Sequence, residues 1–316
     1  MSETLGERLR LTVLGCSTAA PHPATPAAGY LVEWGRTALL LDVGQGVIRN
    51  LQRVLDPHEL TAIIIGHMHA DHYLDIVGLR YLYPWGEPSE DPLPIHLPPG
   101  GRARFDALSR AVSERDGFFD AAFDAVEYDP ASVMTVGDLR VRFVRGRHYV
   151  PAWGVSIEAP DGARLAYTGD TGPSAAVEKA LRGADLLLVE AALQDPAHDD
   201  PERGHLTAEE AIELARHANA RAALLVHYAP PRRAELEALC AAAGAWVRPA
   251  IDGLTVTVSP SRRRAGNPRP IAAIEAWLGS AAAASRSALA AAVASSARAW
   301  SSAAASGSPV ALSSAA

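Results

Sequence analysis

The runs LRLTVLG (9–15), GYLVEW (29–34), TALLLDVG (37–44) and TAIIIG (61–66) are apolar almost without interruption and are bounded by Gly, Pro and Ser. Such runs read as strands, and TAIIIG as a buried one. GVIRNLQRVL spaces its apolar residues at helical period. Helices are predicted over 71–83 and 102–113, on either side of a Pro-rich connection at 85–99. LRVRFVRG, WGVSIEAP and ARLAYTGD then read as strands. After them, the strands ADLLLVEAAL, AALLVH and GLTVTVS alternate with helices over 207–218 and 233–243. Two strand-rich halves, each followed by helices, imply two sheets packed together with helices outside. No internal repeat of fixed short period occurs.

This patterning stops at Pro260. The predicted organisation is one domain over 1–260 and an Ala/Ser-rich low-complexity tail over 261–316, disordered or a frayed helix. Ile271, Ile274 and Leu278 share a helical face there, but Glu275 and Arg286 argue against a membrane span. The N-terminus carries charges of both signs and lacks the apolar core of a signal peptide, so the expected location is cytoplasmic with no membrane partner. The net charge is −7; the tail contributes +5, leaving −12 for 1–260, which does not advertise a nucleic-acid footprint. With only Cys16 and Cys240, and no paired spacing, any metal must be held by His and Asp.

IIIGHMHADH (63–72) places His67, His69, Asp71 and His72 directly after a buried strand. Side chains two apart in extended chain point the same way, so His67 and His69 can reach one ion. Asp71 and His72, where the chain turns into a helix, can face a second. These donors suit zinc, and manganese or iron would also accept them because no sulfur ligand fixes the choice. A two-metal site needs further ligands at strand ends. His148 follows LRVRFVRG, Asp170 ends ARLAYTGD and His227 ends AALLVH. His22, His58, His96, His198 and His217 lack that context and read as surface or structural; Met68 and the Trp85 region read as packing or pocket walls.

On these residues the chain resembles the metallo-β-lactamase-fold hydrolase superfamily over about 9–259, through its His-x-His-x-Asp-His signature, LLLDVGQG with Asp42, and YTGDTG with Asp170. The resemblance implies an α/β fold, a four-layer αββα sandwich with two mixed β-sheets flanked by helices, carrying two zinc ions. By position, His67, His69 and His148 would hold the first ion, Asp71, His72 and His227 the second, and Asp170 would bridge. Asp42 is the expected carboxylate partner of a ligating histidine. True β-lactamases of this fold have a cysteine where Asp170 stands and lack a counterpart of His72, which disfavours antibiotic hydrolysis. The setting of His148, GRHYVPAWGVSIEA, is instead similar to the branch holding the tRNA 3′-end-processing endonuclease RNase Z and small phosphodiesterases.

GHLTAEEAIELA resembles that branch's histidine motif before a helix. His205 is therefore the candidate proton donor, with Glu190 a candidate to orient it and Thr207 with Glu210 a capping box. Bacterial RNase Z carries a long arm between its third histidine and GDT, whereas residues 148–170 leave room only for a hairpin. HYAPPRR also departs from the HFSSRY-like run of RNase Z. End to end, the chain most resembles compact bacterial cyclic-nucleotide phosphodiesterases. The expected function is hydrolysis of a phosphodiester, in a cyclic nucleotide such as 3′,5′-cyclic AMP, by a hydroxide held between two zinc ions. Asp71 would orient that hydroxide and His205 would protonate the departing ribose oxygen. The alternatives are an RNase Z-like endonuclease, or another small-molecule metallohydrolase such as a cyclic phosphate phosphodiesterase or lactonase. The expected partner is a small phosphodiester, with RNA disfavoured and the oligomeric state, a homodimer included, open. Arg232 and Arg233 read either as phosphate contacts or as solvated residues at a helix start.

Overall fold

The computed structural model describes residues 8–84, 89–114, 117–199 and 202–261, so the expected tail lies outside the described residues apart from Ser261. Fourteen strands form two sheets among the described residues. The first half supplies β1 (Leu9–Gly15), β2 (Gly29–Trp34), β3 (Thr37–Leu41), β4 (Ala62–Ile64), β5 (Leu93–Leu97) and β6 (Phe123–Glu127). The second supplies β7 (Met134–Val136), β8 (Leu139–Arg145), β9 (Trp153–Glu158), β10 (Arg164–Tyr167), β11 (Leu186–Glu190), β12 (Ala223–Val226) and β13 (Val247–Pro249). The last strand, β14 (Thr255–Val258), returns to the first sheet beside β1. The strand orders are β14-β1-β2-β3-β4-β5-β6 and β13-β12-β11-β10-β9-β8-β7.

Both sheets are mixed. The first is antiparallel through β14, β1, β2 and β3 and parallel from β3 to β6. The second is antiparallel from β7 to β10 and parallel from β10 to β13. In β3, Leu39 and Leu41 enter the core between the sheets, while Leu40 joins a second apolar layer on the opposite face. Successive strand residues point to opposite faces, so a run with both faces covered has no polar side. That is why these segments read as unbroken apolar runs.

Helices α1 (Val47–Leu51), α2 (Ala70–Tyr73), α3 (Ile76–Arg80) and α4 (Gly101–Val112) belong to the first half, with Val47, Ile48, Leu51, Ile76, Leu79 and Phe105 in the outer apolar layer. Helices α5 (Ala175–Ala180), α6 (Ala208–His217) and α7 (Arg233–Ala243) belong to the second, with α6 against β11 and β12 and α7 against β13. The architecture is the expected four-layer αββα sandwich. None of the helices described is long and apolar enough to cross a membrane.

Three departures from the sequence expectation have physical causes. The helix expected over 71–83 is two short helices, because Val43 N donates to His72 O at 2.7 Å, Asp75 N donates to Val43 O at 3.0 Å, and the Asp75 carboxylate accepts from Ile48 N at 2.7 Å. Tertiary bonds thus claim groups a continuous helix would use. The Pro-rich connection contains β5, whose bonds to β4 begin at Ile95, after Pro94. The edge strands β6, β7 and β13 and the six-residue α5 are too short for periodicity to reveal. The expected hairpin between His148 and Asp170 is β9 and β10, paired antiparallel from Glu158 with Arg164 to Val155 with Tyr167.

Leu165 has no exposed surface and sits in the core between the sheets. Leu165→Ala should lower the unfolding free energy by about 2–5 kcal/mol, the usual range for a buried leucine. Urea titration should show this as a lower midpoint at unchanged slope.

Candidate metal centre

The strands that carry the candidate residues all run the same way within each sheet. β3 and β4 are parallel, as are β10, β11 and β12; β8 joins them because both it and β10 pair antiparallel with β9. Asp42 follows β3, His67 to His72 follow β4, His148 follows β8, Asp170 follows β10, Glu190 ends β11 and His227 follows β12. Each of these groups therefore lies at the C-terminal end of a strand, while His205 stands in the loop that leads into α6 (Ala208–His217).

Four groups of three donor atoms converge there: His67, His69 and His148; His67, His72 and Asp170; Asp71, His72 and His227; and His148, Asp170 and His205. His67 Nε2 and His148 Nε2 lie 3.1 and 3.0 Å from His69 Nδ1. The Asp170 carboxylate stands at the centre, its Oδ2 at 3.2 Å from His227 Nε2, 3.4 Å from His72 Nε2, 3.7 Å from His67 Nε2 and 4.0 Å from His148 Nε2 and His205 Nδ1. Asp71 Oδ2 is 3.6 Å from His72 Nε2 and 3.8 Å from His227 Nε2. All seven candidate metal residues thus meet in one cluster, and His205 stands beside it.

The ring orientations are fixed from behind. His72 Nδ1 is 2.8 Å from Asp42 Oδ2, which turns Nε2 inward. His148 Nδ1 donates to Gly204 O at 2.9 Å and likewise turns Nε2 inward. Asp42 itself has φ +57°, a left-handed conformation that aspartate tolerates better than most residues. In that turn its Oδ1 accepts from Gly66 N at 2.8 Å and its Oδ2 accepts from Tyr167 OH at 3.1 Å. Gly44 lets the same turn pass beneath the histidine loop, since a Cβ there would lie 1.9 Å from Asp71 O.

A second buried carboxylate, Glu190, holds His205. Its Oε1 accepts from Thr171 N at 2.9 Å and meets His205 Nδ1 at 3.0 Å, while its Oε2 accepts from Ala192 N at 3.0 Å. Thr207 and Glu210 form the capping box at the start of α6, which anchors the chain two residues beyond His205. Arg232 donates to Glu235 and Leu193 O, and Arg233 donates to Glu237, so both have intramolecular partners.

Burial, reinforced by the nearby His72, holds His67 well below the ordinary histidine range against the pull of Asp170. Burial also lowers His69, and brings His148 down to about 4. These imidazoles are neutral near pH 7, the state a metal requires. At His72 burial is outweighed by Asp170 and Asp42, which push it well above its usual value. At Asp170 burial is outweighed by His227, His72 and His67, which hold the carboxyl well below the usual range. For His205, burial is outweighed by the hydrogen bond and charge of Glu190, and its pKa is pushed up to about 9. Buried polar atoms without a hydrogen-bond partner include His72 Nε2 and Asp170 Oδ1. Leaving such atoms unpaired is costly, and this donor set fits divalent cations.

The sequence reading missed Tyr167, the carbonyl of Gly204 and the amides of Thr171 and Ala192. Tyr167 stands three residues before Asp170, but nothing in its residue type signals a bond to Asp42.

The model of the beta-lactamase superfamily domain matches residues 37–228, more than half of the chain. The chain belongs to the β-lactamase superfamily. Its fold is the metallo-β-lactamase fold, and it is a metal-dependent hydrolase of the RNase Z and YhfI branch. The uncharacterized protein Rv1339 of Mycobacterium tuberculosis strain H37Rv is 36% identical over 227 residues, covering 70% of this chain and 81% of that protein. Ribonuclease Z of Haloferax volcanii is 28% identical, covering 69% of this chain and 84% of the relative. The crystal structure of the metallo-β-lactamase fold protein YhfI from Bacillus subtilis matches with a TM-score of 0.69 at 25% identity, covering 79% of this chain and 99% of that one.

In this metallo-β-lactamase-fold hydrolase, Asp42→Asn puts an amide among the two side-chain donors and the backbone N–H that now share the carboxylate. Affinity for a divalent probe ion such as zinc, measured by competition with a chromophoric chelator, should fall about 10- to 100-fold, the usual loss when the supporting partner of a metal-binding histidine is removed.

Proposed function

We propose that the chain is a phosphodiesterase that hydrolyses a cyclic nucleotide such as 3′,5′-cyclic AMP with two divalent ions, zinc by preference. The observation that carries this reading is the position of Asp170 Oδ2, within 4.0 Å of five imidazole nitrogens, one of them belonging to a histidine held by Glu190. His67, His69 and His148 would hold one ion, Asp71, His72 and His227 the other, with Asp170 between them. Bound there, such ions supply a nucleophile from water at neutral pH and neutralise charge on phosphate oxygens.

The remaining work falls to the chain's own residues. Asp71 orients the attacking water. His205, with Nδ1 committed to Glu190, carries its transferable proton on Nε2 and gives it to the departing ribose oxygen as the phosphorus–oxygen bond breaks. The direct turn between β9 and β10 supports a small substrate over a tRNA, because it leaves no arm between His148 and Asp170. Two free, buried cysteines fit a reducing cytoplasm.

Zinc-loaded protein should be incubated with 3′,5′-cyclic AMP, 2′,3′-cyclic AMP, bis(p-nitrophenyl) phosphate and precursor tRNA. Selective formation of 5′-AMP, abolished by Asp170→Ala and by chelation, is the expected result. Cleavage of precursor tRNA without cyclic-nucleotide turnover would transfer the assignment to RNA processing.

His205→Ala should lower kcat by about 10²- to 10⁴-fold, the typical contribution of a general acid. Zinc content, measured on the same sample by atomic absorption, should stay at the wild-type level; loss of zinc would instead make His205 a ligand.

A further inference from the structure

The loop that carries His148 also presents a large aromatic side chain to solvent. Tyr149 is 52% exposed although its neighbours are the histidines of a largely buried site. It is nonetheless held in place. Its hydroxyl donates to Asp199 Oδ2 at 2.5 Å. Gly204 passes so close that a Cβ there would lie 2.8 Å from Tyr149 Cε2, 3.0 Å from Cδ2 and 2.8 Å from His148 Nδ1, so glycine is the residue that fits. The ring centroids of His148 and His205 are 5.0 and 5.7 Å from that of Tyr149. The ring therefore stands at the mouth of the cluster, next to both a candidate ligand and the candidate proton donor.

An exposed ring already ordered by its own hydroxyl and by a backbone beneath it offers contact area at little further entropic cost. Flat heterocycles stack on such rings with little regard to sequence, because every base has a π-face. A ring at this place meets what is attached to the leaving oxygen, since His205 is the neighbour that faces that oxygen. We propose that Tyr149 determines specificity, its exposed face stacking the nucleobase of a nucleotide whose phosphate lies at the His/Asp cluster. The inference rests on the phosphodiesterase reading and names the part of the substrate, beyond the phosphate, that the site selects.

The test is calorimetric titration of the zinc-loaded full chain with AMP and with ribose 5-phosphate, which share ribose and phosphate and differ by the base. Wild-type protein should bind AMP about tenfold more tightly, the worth of one stacked base. Tyr149→Leu should bring the two constants to within about twofold of each other by weakening AMP alone. Tyr149→Phe keeps the ring and loses only the bond to Asp199, and should retain most of the preference. Three results overturn the proposal: equal binding of the two ligands by the wild type, a preference that survives Tyr149→Leu, or an equal loss for both ligands in that variant. Because binding is read without turnover, an absence of diester hydrolysis by the wild type would remove the phosphodiesterase reading while the ratio of constants still decided the role of Tyr149.

Discussion

A carboxylate with 2% of its surface exposed needs opposite charge close by to offset its lost hydration, and Asp170 Oδ2 stands 3.2 Å from His227 Nε2 and 3.4 Å from His72 Nε2, at the centre of the donor cluster. The two halves of the chain are tied through it. His67 and His72 come from the first sheet, while His148, His205 and His227 come from the second. Face-to-face packing of the sheets is thus a condition for the cluster to exist, and the apolar layer between them positions the site as much as it stabilises the fold.

Behind the cluster, two further buried carboxylates perform matching tasks. Asp42 grips His72 and is itself fixed by the amide of Gly66 and the phenol of Tyr167. Glu190 grips His205 and is fixed by the amides of Thr171 and Ala192. In both cases a backbone N–H orients the carboxylate, which then orients a ring. The electrostatic outcome is shared, since both rings are pushed above the usual histidine range, but the geometry differs: His72 turns Nε2 toward Asp170, whereas His205 directs Nδ1 to Glu190, which leaves Nε2 for the proposed proton transfer.

Much of this was legible along the chain. Apolar runs ending in His or Asp marked the strands and the edge where they end, because a doubly covered strand has no polar side and a metal site needs its donors where strands stop. The spacing of His67, His69, Asp71 and His72 carried the cluster, and TAEE after His205 carried the start of α6. Other parts had no such mark. Residues 71–83 have helical periodicity, yet bonds from Val43 and Asp75 split them, a contest decided by groups some thirty residues apart. Within the Pro-rich connection β5 was not foreseen, and it pairs with β4 only from Ile95, after Pro94.

The sequence alone determined that the chain holds two layers of strands, that histidine and aspartate are the donors available to a metal, and which seven candidate residues end at the strand edges, since residue type and strand-end position are local properties. Tertiary structure decided that His72 is the ring Asp42 grips, that Tyr167 supports Asp42, and that Gly204 must pass bare beneath Tyr149. Those are distances between segments far apart in the chain, and they exist only once apolar burial has pressed the two sheets together.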